Sequence, residues 1–393
     1  MNQVSSIFSQ LMDLLPRYEF NKCLKRYGEA GIPRTFSHYD QFLAMAFAQL
    51  TFRESLRDIE VCLSALGSKT YHMGFRSRVT RSTLAYANNT RDWRIWQDFA
   101  HVLIKRARTL YAHDELAVEF DNAAYALDST TISLCLSLFP WARYQAAQRA
   151  IKVHTQLDLR GNIPSFALIS HANMNDVRFL DNLLIEPGAL YVMDRGYFDF
   201  QRLFRFTNEG AFFVTRLKKN ISYRRTNIFS RSRTAAVRCD AAITPLSRKT
   251  RKLYPQRIRL VEYVDSDHNK MFLFITSNFS LPAQTIADLY RARWQVELFF
   301  KWIKQHLRIK AFFGTSENAV KSQIWIAISV YVLVAILKKE LRLSQSLHTI
   351  LQVLSISAVQ KMPILQAFHE TPADFSCCTQ SNQLNLFGIP IGQ

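Results

Sequence analysis

Tyr290, Arg293, Glu297 and Lys304 follow the spacing Tyr-x2-Arg-x3-Glu-x6-Lys, which on one α-helix gathers all four within an arc of roughly 60°. The segment around them is crowded with Trp294, Val296, Leu298, Phe299, Phe300, Trp302 and Ile303, so a largely buried helix is expected to hold one carboxylate within a row of donors. A charge in such a place is costly unless it meets a metal ion, a phosphate or a partner. Two aspartates could join it. Asp128 closes the extended stretch from Leu116 and is followed by Ser129-Thr130-Thr131; Asp194 closes the apolar run from Ala189, and Arg195-Gly196-Tyr197 turns the chain. A carboxylate at the carboxyl end of a buried strand points into the crevice where α/β sheets bind ligands. With Glu297, these make three hard oxygen donors suited to two magnesium ions and to chemistry on a phosphodiester. The plainer reading makes Arg293 and Glu297 a solvated i,i+4 ion pair and each aspartate a turn or cap residue. The three carboxylates and the helix stripe together favour a site.

These residues resemble the DDE transposases of bacterial insertion sequences, in the YREK-signature group (insertion sequence four type). Asp128 with Ser129-Thr130-Thr131 looks like the first catalytic block and Asp194-Arg195-Gly196-Tyr197 like the second; Tyr290, Arg293, Glu297 and Lys304 match the signature throughout. The resemblance implies an α/β fold: a ribonuclease-H-like catalytic domain with a β-rich insertion, preceded by an all-α DNA-binding domain. It implies Asp128, Asp194 and Glu297 as catalytic residues and ligands of two Mg2+ ions, with Mn2+ as a substitute. Tyr290, Arg293 and Lys304 would hold DNA phosphates, and Arg216, beside the last predicted sheet strand, is a further candidate. The partners implied are double-stranded DNA, as element ends and as target, and a second copy in a dimer or larger synaptic complex. A nuclease that cuts without joining, and an inert DNA-binding regulator, are the alternatives.

Composition points to the same partner independently. The formal net charge is +19 over 393 residues and the pI is near 9.8, as expected of a polyanion binder. From Arg216 to Arg259 there are fourteen Arg and Lys against one acid, Asp240. Interleaved Tyr223, Phe229 and Tyr254 suggest a surface that tracks a phosphate backbone rather than a plain solvated loop. A hydrophobic content of 48% excludes a disordered chain. The six cysteines lack zinc-like spacing, and adjacent Cys377 and Cys378 suggest no disulfide framework. A reducing bacterial cytoplasm, with the protein on the nucleoid when DNA-bound, is the expected location, and no secretory pattern opens the chain.

Periodicity predicts helices over Ser6–Leu15, Tyr39–Leu50, Ser55–Leu66, Ser82–Asn89 and Trp93–Tyr111. Arg76, Arg78 and Arg81, between the third and fourth, suggest a helix-turn-helix arrangement in which Asn88, Arg91 and Arg94 could contact DNA; a plain bundle with a basic face is the alternative. Strands are expected at Leu116–Ile132, Lys152–Leu159, Ser165–Ser170, Leu190–Asp194 and Phe212–Arg216, with helices at Val177–Leu184 and Phe200–Asn208. Ile258–Val264 and Met271–Thr276 read as strands of the insertion, and Glu297 falls on a helix starting near Pro282. Ile324–Leu337 is almost wholly apolar but short of the roughly 20 residues that span a bilayer, so it reads as a core helix bracing the Glu297 helix. The expected division is 1–112, helical DNA-binding; 113–217 with 284–340, catalytic; 218–283, basic β-rich insertion; and 341–393, helical segment and tail.

Overall fold

A computed structural model describes residues 5–28, 35–116, 118, 120–135, 137–145, 148–232, 236–265, 270–306 and 312–369; Cys377 and Cys378 lie outside them. The chain opens on α1 (Ile7–Met12), α2 (Arg17–Arg26), α3 (His38–Leu50), α4 (Leu56–Ala65), α5 (Lys69–His72), α6 (Arg81–Thr90) and α7 (Trp93–Tyr111). Short polar side chains cap the starts of α1, α3, α4, α6 and α7. Ser37 accepts from the Asp40 N–H while Asp40 accepts from the Ser37 N–H, a capping box. Ser55, Thr80 and Asp92 accept from the N–H groups of Asp58, Thr83 and Arg94. In α7, Ile95, Trp96, Phe99, Ala100, Leu103, Ile104 and Ala107 are buried at helical spacing and form one apolar face. The sequence reading does not predict α2, whose buried residues, Phe20 and Cys23, leave little periodicity to detect.

Next come β1 (Ala124–Leu134), β2 (Arg143–Gln145), β3 (Gln148–Asp158), β4 (Ile163–His171), β5 (Leu190–Met193), α8 (Phe200–Asn208) and β6 (Phe212–Arg216). The predicted strand from Leu116 begins only at Ala124, after a bend at Asp121 and Asn122. The predicted helix near Val177 is a 3-10 helix, Asp176–Asn182, and a second 3-10 turn spans Arg195–Tyr197. β3 runs antiparallel to β1 and β4, whereas β1, β5 and β6 are parallel. At the β3–β4 hairpin, Gly161 has φ +70°, and a Cβ there would lie 2.1 Å from a Tyr111 ring carbon, so only glycine lets this turn close against α7.

The basic segment supplies β7 (Tyr223–Arg231), β8 (Val237–Pro245), α9 (Arg248–Leu253), β9 (Ile258–Asp265) and β10 (Lys270–Thr276). These strands continue the central sheet. β10 pairs antiparallel with β6, and the path is β2-β3-β1-β5-β6-β10-β9-β8-β7, with β4 also on β3. β7 is the edge strand and is exposed almost throughout. It therefore lacks the apolar alternation by which a strand is recognised.

The chain ends on α10 (Ala283–Ala292), α11 (Trp294–His306), α12 (Glu317–Glu340), α13 (Leu347–Ser357) and α14 (Gln366–His369). The single helix expected from near Pro282 is thus two. Around the break, the Arg293 N–H bonds to the Tyr290 carbonyl at 3.3 Å and the Val296 N–H to the Arg293 carbonyl at 3.0 Å, a 3-10-like tightening. α12 runs to 24 residues, longer than predicted, and is apolar enough by length and composition to cross a membrane. Of its most apolar window, 94% is buried inside the molecule. It shares one core with the amino-terminal helices, α11, α13 and one face of β1, β3 and β4. Phe179, α8 and the side chains of Tyr125, Leu127, Tyr191 and Met193 form a second core on the other sheet face. Ile286, Ala287 and Leu289 of α10 cover Leu190, Val192 and Val214.

Candidate active site

Strand register puts the first two carboxylates side by side. Ala126 pairs with Val192 and Leu127 with Met193 across parallel β1 and β5. Asp128 and Asp194 are the next residues in each chain, so strand alternation sends both out on the face opposite Leu127 and Met193. Val192 also pairs with Val214 of β6, which brings Arg216 into the same row. The row stands where the parallel pairing of β1, β5 and β6 ends, at the carboxyl ends of β5 and β6, a place where open α/β sheets receive their ligands. Asp128, expected at a strand end, lies instead within β1, which runs on to Leu134 against β3.

Glu297 approaches from α11, and Arg293 ties it to the row. Arg293 Nη1 donates to Asp128 Oδ2 at 2.8 Å and Nη2 to Glu297 Oε1 at 2.7 Å. The helix tightens at the very residue whose guanidinium reaches down between the two carboxylates. Arg216 Nη2 donates to Asp194 Oδ1 at 2.5 Å, and the Tyr290 hydroxyl donates to the same oxygen at 3.1 Å. The Tyr290 ring lies 5.8 Å from the Arg216 guanidinium and 5.7 Å from that of Arg293, joining the two clusters. The Ser129 N–H donates to Asp128 Oδ1 at 2.8 Å. Lys304 is half-buried two helical turns beyond Glu297 on α11.

Burial pushes the Asp128 carboxyl up to about 6; Arg293 and the Ser129 N–H oppose the rise, while Glu297 and Asp194 add to it. Burial also pushes Asp194 up, but the Arg195 N–H and the Arg216 guanidinium outweigh it and leave the carboxyl below its ordinary value. The Tyr290 phenol is pushed up to about 12, chiefly by burial, so it stays a donor at neutral pH.

The donor set suits a hard divalent cation: carboxylates from three elements that repel one another at close range. As they stand, no three His, Cys, Asp or Glu among the described residues are grouped closely enough to hold an ion. Arg293 lies between Asp128 and Glu297, and Arg216 covers Asp194. The residues fit by donor type and charge, and the spacing requires those guanidinium groups to turn aside.

Residues 119–333 match the family described as Transposase DDE domain. The chain belongs to the DDE transposase family. A domain of unknown function (DUF4372) matches residues 3–76. The transposase is 32% identical over 260 residues to y4zB of Sinorhizobium fredii, named for a transposase, covering 63% of this chain and 72% of that one. It is 32% identical over 219 residues to a protein of Geobacillus stearothermophilus named as the transposase of insertion sequence element IS5377, covering 55% and 57%. A Synechocystis protein named for element IS4SA is 24% identical over 260 residues, covering 65% and 71%. A piggyBac transposase synaptic complex with hairpin DNA matches at 12% identity and a TM-score of 0.44, over 94% of this chain and 81% of that one, a likeness too slight to bear on fold or partner.

Several residues predicted to face DNA have other duties in the transposase. Asn88 is buried and accepts from Gln41 Nε2 at 2.8 Å, and Arg91 donates to the Ser37 carbonyl at 2.9 Å and to Gln41 Oε1 at 3.0 Å. Both brace α3 against α6; Asn88 is placed too deep to read bases, and the half-buried Arg91 guanidinium is engaged within the helices. Arg94 is exposed but paired to Asp92. In the basic segment, Tyr254 is buried and Arg259 is sealed against Asp240 by bonds of 2.8 and 2.7 Å. Arg248, Lys249, Arg251 and Lys252 of α9 and Phe229 of β7 are exposed. The sequence reading passed over Asp176, whose carboxylate accepts from Ser129 Oγ at 2.7 Å; an Asn-Asp pair before a helical turn reads as an ordinary cap.

Proposed function

We propose that Asp128, Asp194 and Glu297 are the catalytic carboxylates of a transposase of the YREK, insertion sequence four group, built on a ribonuclease-H-like core. The row of Asp128, Asp194 and Arg216, with Glu297 tied to it through Arg293, carries this reading. The antiparallel β4-β3-β1 run followed by parallel β5 and β6 supports the core assignment. Residues 1–112 recognise the terminal repeats in this reading, 113–217 with 284–340 form the catalytic unit, 218–283 add basic surface for DNA, and 341–393 contribute helical packing and the tail.

The reaction begins with water attacking a phosphodiester at the element end in line, breaking the P–O3′ bond and freeing a 3′-hydroxyl. That hydroxyl then attacks a target phosphodiester, forming a new P–O bond and displacing a target 3′-oxygen. When bound by the three carboxylates, two Mg2+ ions, or Mn2+ in their place, supply activation of the entering oxygen and charge stabilisation of the leaving one. Arg293, Arg216, Tyr290 and Lys304 hold the phosphates around the cut, so positioning and charge neutralisation do most of the catalysis. The active form is a dimer or larger complex that brings two ends together with target DNA, in the bacterial cytoplasm.

The deciding experiment incubates the protein with DNA from its own genomic flanks and Mg2+, then maps the 3′ ends. Defined 3′ ends at the element boundary, transferred to a second duplex, are expected. Cutting without transfer would leave a nuclease, and sequence-specific binding without cutting would leave a regulator.

A further inference from the structure

We infer that Asp176 is a positioning residue for cleavage, orienting Ser129 so that its backbone N–H meets the Asp128 carboxylate. This inference rests on the reading of Asp128 as catalytic. Asp176 opens the 3-10 helix Asp176–Asn182, whose first turn is already capped by the Asn175 side chain accepting from the Val177 N–H. Its carboxylate is therefore not needed as a cap.

That carboxylate instead turns back toward the sheet. Oδ1 accepts from Ser129 Oγ at 2.7 Å and from Lys152 Nζ at 3.1 Å. Lys152 also donates to the Met174 carbonyl at 3.0 Å, and its side chain is 13% exposed, so the ammonium is fixed where it neutralises Asp176. His154 Nδ1 lies 3.7 Å from the same oxygen. Burial, however, pushes the His154 imidazole down to about 4, and its Nε2 lies 3.1 Å from Ser170 Oγ. A neutral His154 leaves Lys152 to balance the Asp176 charge.

Ser129 is the point at which this network reaches the reaction. It lies two residues past the last β1–β5 pair, Leu127 with Met193, and its N–H donates to Asp128 Oδ1 at 2.8 Å. Successive strand residues face opposite sides, so the Ser129 hydroxyl and the Asp128 carboxylate leave the strand on opposite faces. Fixing the hydroxyl from behind fixes the rotation of the peptide that presents the N–H in front. Asp176 also lies beside the second acidic segment: a Cβ added to Gly196, two residues after Asp194, would stand 3.9 Å from its Oδ2. Asp176 is thus bonded to the first acidic segment and lies beside the second.

The test compares Ser129→Ala, Asp176→Ala and Asp176→Asn, singly and with Ser129→Ala combined with Asp176→Ala, in single-turnover cleavage of terminal-repeat DNA. Asp176→Ala and Ser129→Ala are each expected to slow cleavage at saturating DNA by about 10- to 100-fold, as loss of groups that orient reacting ligands does. The half-saturating DNA concentration should stay within about twofold, the double variant should be little slower than either single one, and Asp176→Asn, which keeps an acceptor oxygen, should recover most of the rate. If Asp176→Ala fails to fold, Ser129→Ala, which removes one hydroxyl, carries the comparison alone. Wild-type rates in Ser129→Ala, a loss confined to DNA affinity, or independent multiplication of the two defects would overturn the inference. Asp128→Asn is run alongside. Should it cut normally, the catalytic reading itself fails; should it be inactive while Ser129→Ala is unaffected, only the role of Asp176 is lost.

Discussion

Asp128 is held in its charged form against its surroundings, and that tension can be measured. Burial pushes its folded carboxyl from the ordinary 3.8 up to about 6, so between those values the folded state binds the extra proton. Its favourable contribution to stability is complete below about 3.8 and is lost as pH rises through 6. Asp128→Asn, assayed with chelator present, is therefore expected to melt above wild type at neutral pH, by on the order of 1–3 kcal/mol, with the gain vanishing near pH 4. A wild type that melts higher at neutral pH would contradict the burial argument. The same variant should not cut DNA, a trade of stability for function. Alanine at Asp128, Asp194 or Glu297 should likewise abolish cleavage while leaving end binding within a few fold, and near-normal cutting by any one would remove that residue from the set. At this scale the sequence was informative about identities and silent about partners. Asp128 stands out because it closes an extended, partly apolar stretch, Asp194 because it ends an apolar run, and Glu297 because its neighbours share a helical stripe. That Arg216 faces Asp194 depends on the pairing of β5 with β6, which no local spacing encodes.

Charge within the basic segment divides by element. α9 presents Arg248, Lys249, Arg251 and Lys252 to solvent, whereas Arg259 on β9 is locked to Asp240 of β8 with side chains 5% and 10% exposed. Neutralising the four α9 residues should leave the melting temperature nearly unchanged and flatten the salt dependence of DNA binding by up to about 0.9 per lost phosphate contact. An unchanged slope would return α9 to a solvated helix. Asp240→Ala should do the opposite, costing roughly 3–5 kcal/mol of stability because it strands a buried guanidinium, with the salt slope intact; a silent substitution would show that Arg259 finds other partners. Composition alone treats all fourteen cations alike, since burial is decided by the strand pairing. β8 and β9 seal Arg259 inside, while β7, at the edge, escaped the sequence reading because both its faces meet water. The break between α10 and α11 was illegible for a related reason: helical spacing continues through Arg293, whose bond to Asp128 spans 165 positions.

In the whole molecule, the helical amino-terminal region and the sheet are joined through α12. Ile324, Trp325, Ile328, Leu333 and Ile336 belong to the same core as Phe42, Leu43, Trp96 and Leu103, and Tyr111 donates to the Ala335 carbonyl at 2.9 Å. The apolar run that marks α12 was plain in the sequence; much of its cover was not, because Phe42, Leu43, Trp96 and Leu103 lie more than 200 positions earlier. A chain starting at residue 113 is expected to aggregate when produced alone, since it would expose much of α12; a monodisperse, cooperatively melting fragment would show the two regions to be independent. Order of synthesis gives that dependence a direction. α3, α6 and α7 leave the ribosome well before α12, so the most apolar segment of the chain emerges when its covering helices are already made. A circular permutant that begins at α10 would reverse this sequence, releasing a bare 24-residue apolar helix to chaperones and membrane-targeting factors before its shelter exists.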